Sequence, residues 1–245
     1  MSIKGLQVIY QSEPYNPQKV HWLYMAESKA LQAEGISVST EADTYSVKLL
    51  YRGGRNMVKK LYEKDKRYVN QFTHFEECSR MSHYLPHISD LSIETFFVAD
   101  LNDDLALDIK NKGWDKVFIK KDVKSLEHIE EGKSFWPHTS FEEMKTHYNE
   151  MNIHGKYAIR KFINKEIIEQ EERYWIFNGN IYHKNNLIPD IVREAAKRLN
   201  KIGSKYYTID ATPEFIVEVN PGETSDRHAV NSPELFASWI KKEFY

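Results

Sequence analysis

The hydrophobic pattern from Leu6 to Tyr10 alternates as a strand. Val20, Leu23, Tyr24 and Leu31 then recur at helical spacing up to Gly35, a C-terminal stop, and Ile36 to Val38 returns to an extended pattern. Val47 to Tyr51 predicts a second short buried strand, closed by Arg52-Gly53-Gly54, and Met57 to Tyr68 a charged amphipathic helix. The first ninety residues therefore read as βαβ-type units. Pro86 interrupts the helical pattern in His83-Tyr84-Leu85-Pro86, and Ile88 to Leu91 leads into a new extended stretch, which places a domain boundary near residue 90.

Beyond that boundary the pattern changes. Lys116 to Lys120 reads as a strand, a polar stretch runs through His154, and Tyr157 to Ile163 reads as another strand. Tyr174 to Phe177 and Ile181 to His183 flank Asn178-Gly179-Asn180, which supplies the positive φ angles of a hairpin turn. Pro189 opens a helix with Ile191, Val192, Ala195, Leu199 and Ile202 on one face, ended by Gly203. Two strands, Tyr206 to Ala211 and Phe215 to Val219, meet across Thr212-Pro213-Glu214, and a helix from Pro233 through Trp239 closes the chain.

The 245 residues suit one large domain or two smaller ones, and 41% hydrophobic with 29% charged residues excludes disorder and fibrous structure. Thirty-four basic against 36 acidic residues leave no global field to recruit nucleic acid or an anionic membrane, so neither is an expected partner. Cys78 alone can form neither an intramolecular disulfide nor a thiolate zinc cage, and Met1 to Tyr10 lacks the apolar core of a secretion signal; the cytoplasm is the expected compartment. The phosphate-loop, dinucleotide-turn and nucleophile-elbow motifs are absent. His83 and His87 stand four apart with Pro86 between them, a poor zinc pair, and Cys78 reads as an inert thiol.

Candidate chemistry concentrates near the C-terminus. If Ala211 pairs with Phe215 across the turn, Asp210 shares a face with Glu218 and Asn220, one diagonal away. Two carboxylates and an amide oxygen suit a hard cation such as Mg²⁺, completed by phosphate oxygens and water; the plainer reading is a polar strand edge. Lys120 ends a buried strand where a nucleotide phosphate could neutralise it, and Lys124 is a second donor nearby. Arg160 and Arg173, read as lying on adjoining strands, could together grip phosphate or carboxylate, or merely pair with Glu171 or Glu172 on the sheet surface.

Taken in order, the lysine strand, a hinge strand, Glu171-Glu172-Arg173, the Gly179 turn, a helix, the Asp210 strand and Glu218-Val219-Asn220 resemble the ATP-grasp superfamily. The nearer likeness is to a small bacterial and viral clade named for two arginines and a lysine. Tyr51-Arg52-Gly53, His83-Tyr84-Leu85-Pro86 and Lys121-Asp122-Val123-Lys124-Ser125 resemble its motifs, so the likeness spans nearly the whole chain. Gly54 stands where the clade often has tryptophan, and residues 125–155 offer only Gly132 and Gly155 where a glycine-rich lid is common.

The resemblance implies an α/β (α+β) protein: an N-terminal α/β pre-ATP-grasp domain over residues 1–90 and an ATP-grasp catalytic domain over 91–245. It implies that Lys120 and Lys124 contact ATP phosphates, that Lys161, Phe162 and Ile163 lie on the hinge that holds adenine, and that Glu171 is a further nucleotide-binding residue. Asp210, Glu218 and Asn220 would be the Mg²⁺ ligands; Arg160, Arg173 and Arg52 would be catalytic, with Arg52 reaching the acceptor across an interdomain cleft. The implied activity is an ATP- and Mg²⁺-dependent ligase that joins a carboxylate to an amine through an acyl-phosphate, on a small molecule, a peptide or a protein terminus. A phosphotransferase and a non-catalytic nucleotide-binding module are the alternatives.

Overall fold

The computed structural model describes residues 4–123, 135–137, 141–150, 156–227 and 231–245. β1 (Lys4–Tyr10) runs into a hairpin of β2 (Ser12–Glu13) and β3 (Asn16–Val20), followed by α1 (Met25–Ala33), β4 (Ser37–Ser39) and β5 (Ser46–Arg52). β4 and β5 both pair with β1 in parallel, the βαβ arrangement read from the sequence. Val20 belongs to β3 rather than to the helix, which starts at Met25 after a 3₁₀ turn and stops where Gly35 takes a φ of 81°.

α2 (Arg55–Lys64) is shorter than its apolar pattern suggests. Asp65 turns extended and its carboxylate accepts from the backbone N–H of Arg67 at 2.9 Å, which diverts the chain before Tyr68. α3 (Phe72–Ser79) and α4 (Met81–Ile88) follow. Contrary to expectation, α4 continues through Pro86, and Ser89–Leu91 is a 3₁₀ turn rather than a strand start. The helix survives the lost N–H because Asp122 anchors its N-terminus: the carboxylate accepts from Ser82 N at 2.7 Å and Ser82 Oγ at 2.8 Å. Tyr84, Leu85 and Ile88 then bury in the core.

The second sheet comprises β6 (Thr95–Val98), β7 (Lys116–Lys121), β8 (Phe135–Pro137) and β9 (Tyr157–Lys161) in the order β6-β9-β7-β8, antiparallel throughout. α5 (Asp103–Asn111) and α6 (Phe141–Glu150) pack on it. β8 and α6 fall in the stretch read only as polar, because few apolar residues suffice: Trp136, Phe141 and Met144 join Val117, Ile119 and Ile159 in one cluster.

α7 (Lys165–Ile168) leads to the third sheet, β10 (Glu172–Phe177), β11 (Asn180–Tyr182), β12 (Tyr206–Ala211) and β13 (Ile216–Pro221), ordered β11-β10-β12-β13. Asn178 and Gly179 take positive φ in the β10–β11 turn, as their sequence predicts. α8 (Asp190–Leu199) and α4 cover one face of this sheet. The other face stacks Trp175, Phe177 and Tyr206 against Phe236 of α9 (Pro233–Phe244), in the same cluster as Leu6, Val8 and Leu50. The C-terminal helix thus welds the first sheet to the third, and the core is continuous across residue 90. No helix among the described residues is long and apolar enough to cross a membrane.

Candidate active site

The β12–β13 pair sets the geometry of the site. A bulge between Asp210 and Ala211 makes Ala211 pair with Ile216, not Phe215, so Asp210 stands directly opposite Glu218 and Thr208 opposite Asn220. The resulting two-residue shift in the partner of Asp210 brings the two carboxylates closer than the sequence reading placed them. Asn220 Nδ2 donates to Asp210 Oδ2 at 3.2 Å, which joins all three oxygen-bearing side chains in one patch.

Each carboxylate is held by a cation from a neighbouring strand. Lys120, buried near the end of β7, donates its ammonium to Glu218 Oε1. Arg173 on β10 forks onto Asp210 with Nε–Oδ1 and Nη2–Oδ2 both at 2.7 Å, and its Nη1 reaches Asp226 Oδ1 at 3.2 Å. Arg173 therefore does not pair with Glu171 or Glu172 as a surface bridge; Glu172 binds Lys184 instead, at 2.9 Å. Burial would push the Glu218 carboxyl up, but Lys120, Asn220 and Arg160 together hold it below its ordinary range. Glu171 has no hydrogen-bonded cation among the described residues and moves the other way, to about 7, through burial and the fields of Asp210 and Glu218, which outweigh those of Arg173 and Arg160.

Arg160 and Arg173 do not lie on adjoining strands: β9 pairs with β6 and β7, and β10 with β11 and β12. They approach the carboxylates from different sheets. Arg160 is only 3% exposed, yet among the described residues its side chain donates only from Nε to Thr95 Oγ1, at 3.3 Å, and Nη2 has no partner there. Burial lowers its pKa, opposed by Tyr84, Glu218 and Glu171. A buried guanidinium left this incomplete is a ready anion receptor.

Arg52 is placed differently from the sequence reading. It is fully buried, forks onto Glu27 at 2.8 and 2.9 Å, and donates Nη1 to the carbonyls of Gly222 and Ser225 at 2.6 and 2.5 Å. Tyr24, Trp175 and Phe236 surround it with ring centroids 5.2–5.6 Å from its Cζ. Every terminal nitrogen is thus engaged, and the guanidinium fixes the turn that follows Asn220 rather than facing an acceptor. Gly222 in that turn lies so close to Tyr206 that a Cβ would come within 2.6 Å of its ring.

A cleft of about 640 Å³ opens over these groups, between Gln11, Tyr24 and Gly53 to Asn56 on one wall and Arg173, Glu218, Asn220 and Thr224 to Asp226 on the other. Gly53 is required at its rim, since a Cβ would meet the Tyr51 hydroxyl and lie 2.7 Å from Gln11 Cβ. In the segment expected to form the hinge, Lys161 is exposed and Phe162 and Ile163 half-buried; the backbone N–H groups of Lys161 and Phe162 donate to Glu94 O and Lys116 O. Lys124 lies outside the described residues, as do Ser125, Gly132 and Gly155. Cys78 is buried, with its thiol pushed well up by desolvation, in keeping with an inert role.

Sequence reasoning missed Thr95, Asp226, Gln11, Tyr24, Arg55 and Asn56. Short polar side chains that act through tertiary contact carry no periodic signal, although Gly53-Gly54 marked the rim. Two motifs quoted from the sequence do meet: Asp122 caps α4, and α4 presents Tyr84, which is hydrogen-bonded to the backbone of Val219 and senses both Glu218 and Arg160.

Among the described residues no group of three or more His, Cys, Asp or Glu is placed to hold a metal. The donor set of Asp210, Glu218 and Asn220 nevertheless fits a magnesium ion that shares its shell with phosphate oxygens, since such sites use one or two carboxylates rather than a full protein cage. The Arg160 nitrogen beside it that has no partner among the described residues fits a polyphosphate.

No family model matches the chain, and no curated protein matches it. Solved structures do. The D-cycloserine synthetase DcsG superposes with a TM-score of 0.66 at 13% identity, over 98% of this chain and 100% of that one. The macrocyclase MdnC of Microcystis aeruginosa, bound with precursor peptide MdnA, gives 0.64 at 11% identity over 97% and 99%. The ATP-grasp ligase PsnB, complexed with minimal precursor, Mg and ADP, gives 0.62 at 7% identity over 98% and 97%. The chain has the ATP-grasp fold along its whole described length.

Proposed function

We propose that the protein is an ATP- and Mg²⁺-dependent ligase that joins a carboxylate to an amine through an acyl-phosphate. The observation that carries the proposal is the facing pair Asp210 and Glu218, each in contact with a cation of the right kind for phosphate, with Glu218, Asn220 and Arg173 lining an open cleft. The ATP-grasp fold, found in ligases that include a complex with Mg and ADP, supports the same reading.

In this reading Asp210, Glu218 and Asn220 hold Mg²⁺, whose charge offsets the triphosphate. Lys120 and Arg160 steady the phosphate oxygens; Lys124 would add a donor, and Lys161, Phe162, Ile163 and Glu171 would line the base side. The substrate carboxylate attacks the γ-phosphorus, ADP leaves with the bond's electron pair, and an amine then displaces phosphate from the acyl-phosphate to give the amide. Arg173 stays close to both Asp210 and the cleft wall, where a fork can follow the oxyanion through both steps. Arg52 acts one layer below, as a positioning residue for the Gly222–Ser225 turn.

The test is nucleotide-dependent thermal stabilisation followed by turnover. ATP with Mg²⁺ should raise the melting temperature of the wild type and not of Glu218→Gln, and phosphate should be released only when a carboxylate and an amine are both supplied. Amide with free phosphate as products supports the ligase; a stable phosphorylated product would replace it with a phosphotransferase.

A further inference from the structure

With Arg52 buried and engaged, a different group must face the substrate from the cleft wall that faces Arg173, Glu218 and Asn220. Gly53 and Gly54 bring no side chain to that wall, and Arg55 is committed to Glu76 at 2.8 Å with its Cζ 5.2 Å from the Phe75 ring centroid. Gln11 is different. Its backbone is pinned on both sides, the N–H donating to Arg52 O and the carbonyl accepting from His21 N, each at 2.9 Å. Its Oε1 accepts from the backbone N–H of Gly54 at 2.7 Å. That partner can only donate, so the amide is turned one way, with oxygen towards Gly54 and Nε2 left over. The residue is half-buried on the cleft wall, and Nε2 has no acceptor among the described residues. The two glycines make room for this arrangement: a Cβ at Gly53 would lie 2.7 Å from Gln11 Cβ, and one at Gly54 3.1 Å from Gln11 Oε1.

Resting on the ligase reading above, we propose that Gln11 is the residue that selects the amine substrate, with Nε2 donating to an oxygen on the carbon next to the amine-bearing one. In that reading the acyl-phosphate forms on the side of Arg173, Glu218 and Asn220, and the amine reaches the acyl carbon from the side of Gln11. A fixed NH2 group offers two donors and no acceptor, so an amine or ammonium gains nothing from it, whereas a carbonyl or carboxylate oxygen does. The acceptor is therefore an α-amino carbonyl compound, a free α-amino acid or an α-amino amide, rather than a plain alkylamine. Gln11 takes no part in the bonds that form and break; it holds the nucleophile in line.

The test compares acceptors with and without that oxygen. ATP, Mg²⁺ and the carboxylate that gives the fastest phosphate release in a panel of amino and dicarboxylic acids are combined with alanine, alaninamide or isopropylamine, and kcat/KM is measured for each amine. The wild type should prefer alanine or alaninamide over isopropylamine by about tenfold or more, the scale of one hydrogen bond. Which of the two is favoured tells a free carboxylate from an amide as the oxygen source. Gln11→Glu keeps an oxygen for the Gly54 N–H and puts a second one where Nε2 stood, so the preference over isopropylamine should fall by about tenfold. Gln11→Leu, checked for folding by circular dichroism, should lose it as well. A preference unchanged in both variants, or an equal loss of kcat/KM with alaninamide and with isopropylamine, would overturn the role of Gln11 while leaving the ligase reading in place. If the folded wild type releases no phosphate from ATP with any carboxylate of the panel, even with hydroxylamine present to trap an acyl-phosphate, the ligase reading itself falls, and the role of Gln11 with it.

Discussion

Two buried arginines of this protein have opposite surroundings. Arg52 lies between the first and third sheets with a carboxylate fork, two carbonyls and three aromatic rings around it. Arg160 lies on the second sheet with a single long bond to Thr95 and a terminal nitrogen that has no partner among the described residues. Sequence alone cannot separate them, since each is an arginine on a hydrophobic strand. Their partners do: a saturated guanidinium holds the fold, and an unsaturated one waits for an anion.

The largest effect that could break this contrast is on stability. Arg52→Ala leaves Glu27 buried without its counter-ion, with Tyr10 as its remaining hydrogen-bond donor, and should destabilise the protein by about 3–5 kcal/mol in denaturant titration. A loss below about 1 kcal/mol would mean that the pair is not the fastener described here. Arg160→Met should instead cost little stability, while ATP-dependent turnover falls by about 10²–10³, the scale of one lost charge-stabilising donor. Equal losses of stability for the two arginines would erase the distinction.

Glu171 sharpens the comparison through pH. Its folded pKa of about 7 lies above its ordinary value of 4.5, so the folded state keeps a proton that the unfolded state gives up. Its contribution is therefore fully present below pH 4.5 and is lost as pH rises to about 7. Glu171→Gln should flatten that part of the stability profile, with no difference in slope above the window. The smallest expected effect is Thr95→Val, which removes the weak bond to Arg160 Nε; about 1 kcal/mol or less should be lost in thermal unfolding.

Much of this was legible in the chain. The strands read at Leu6 to Tyr10 and Tyr206 to Ala211, the Asn178-Gly179 turn and the Gly203 stop are local signals that tertiary packing left in place. The oxygen-bearing residues of β12 and β13 could be placed on one face from strand periodicity, but not the bulge that puts Asp210 opposite Glu218, because a bulge is fixed by what packs on both sides. Pro86 misled for a similar reason: Asp122, forty positions from Ser82 in the chain, supplies the anchor at the start of α4. Arg52 misled most. Its motif marks an arginine at the end of a strand, while its job is set by Glu27, Gly222 and Ser225, none of which is near it in sequence.

The most direct test is a crystal structure of the wild type with Mg²⁺ and a non-hydrolysable ATP analogue. The account predicts metal bridging Asp210 and Glu218, Lys120 and Arg160 on phosphate oxygens, and Arg52 still forked onto Glu27. Phosphates bound away from Lys120 and Arg160, or Arg52 turned from Glu27 onto the ligand, would contradict it.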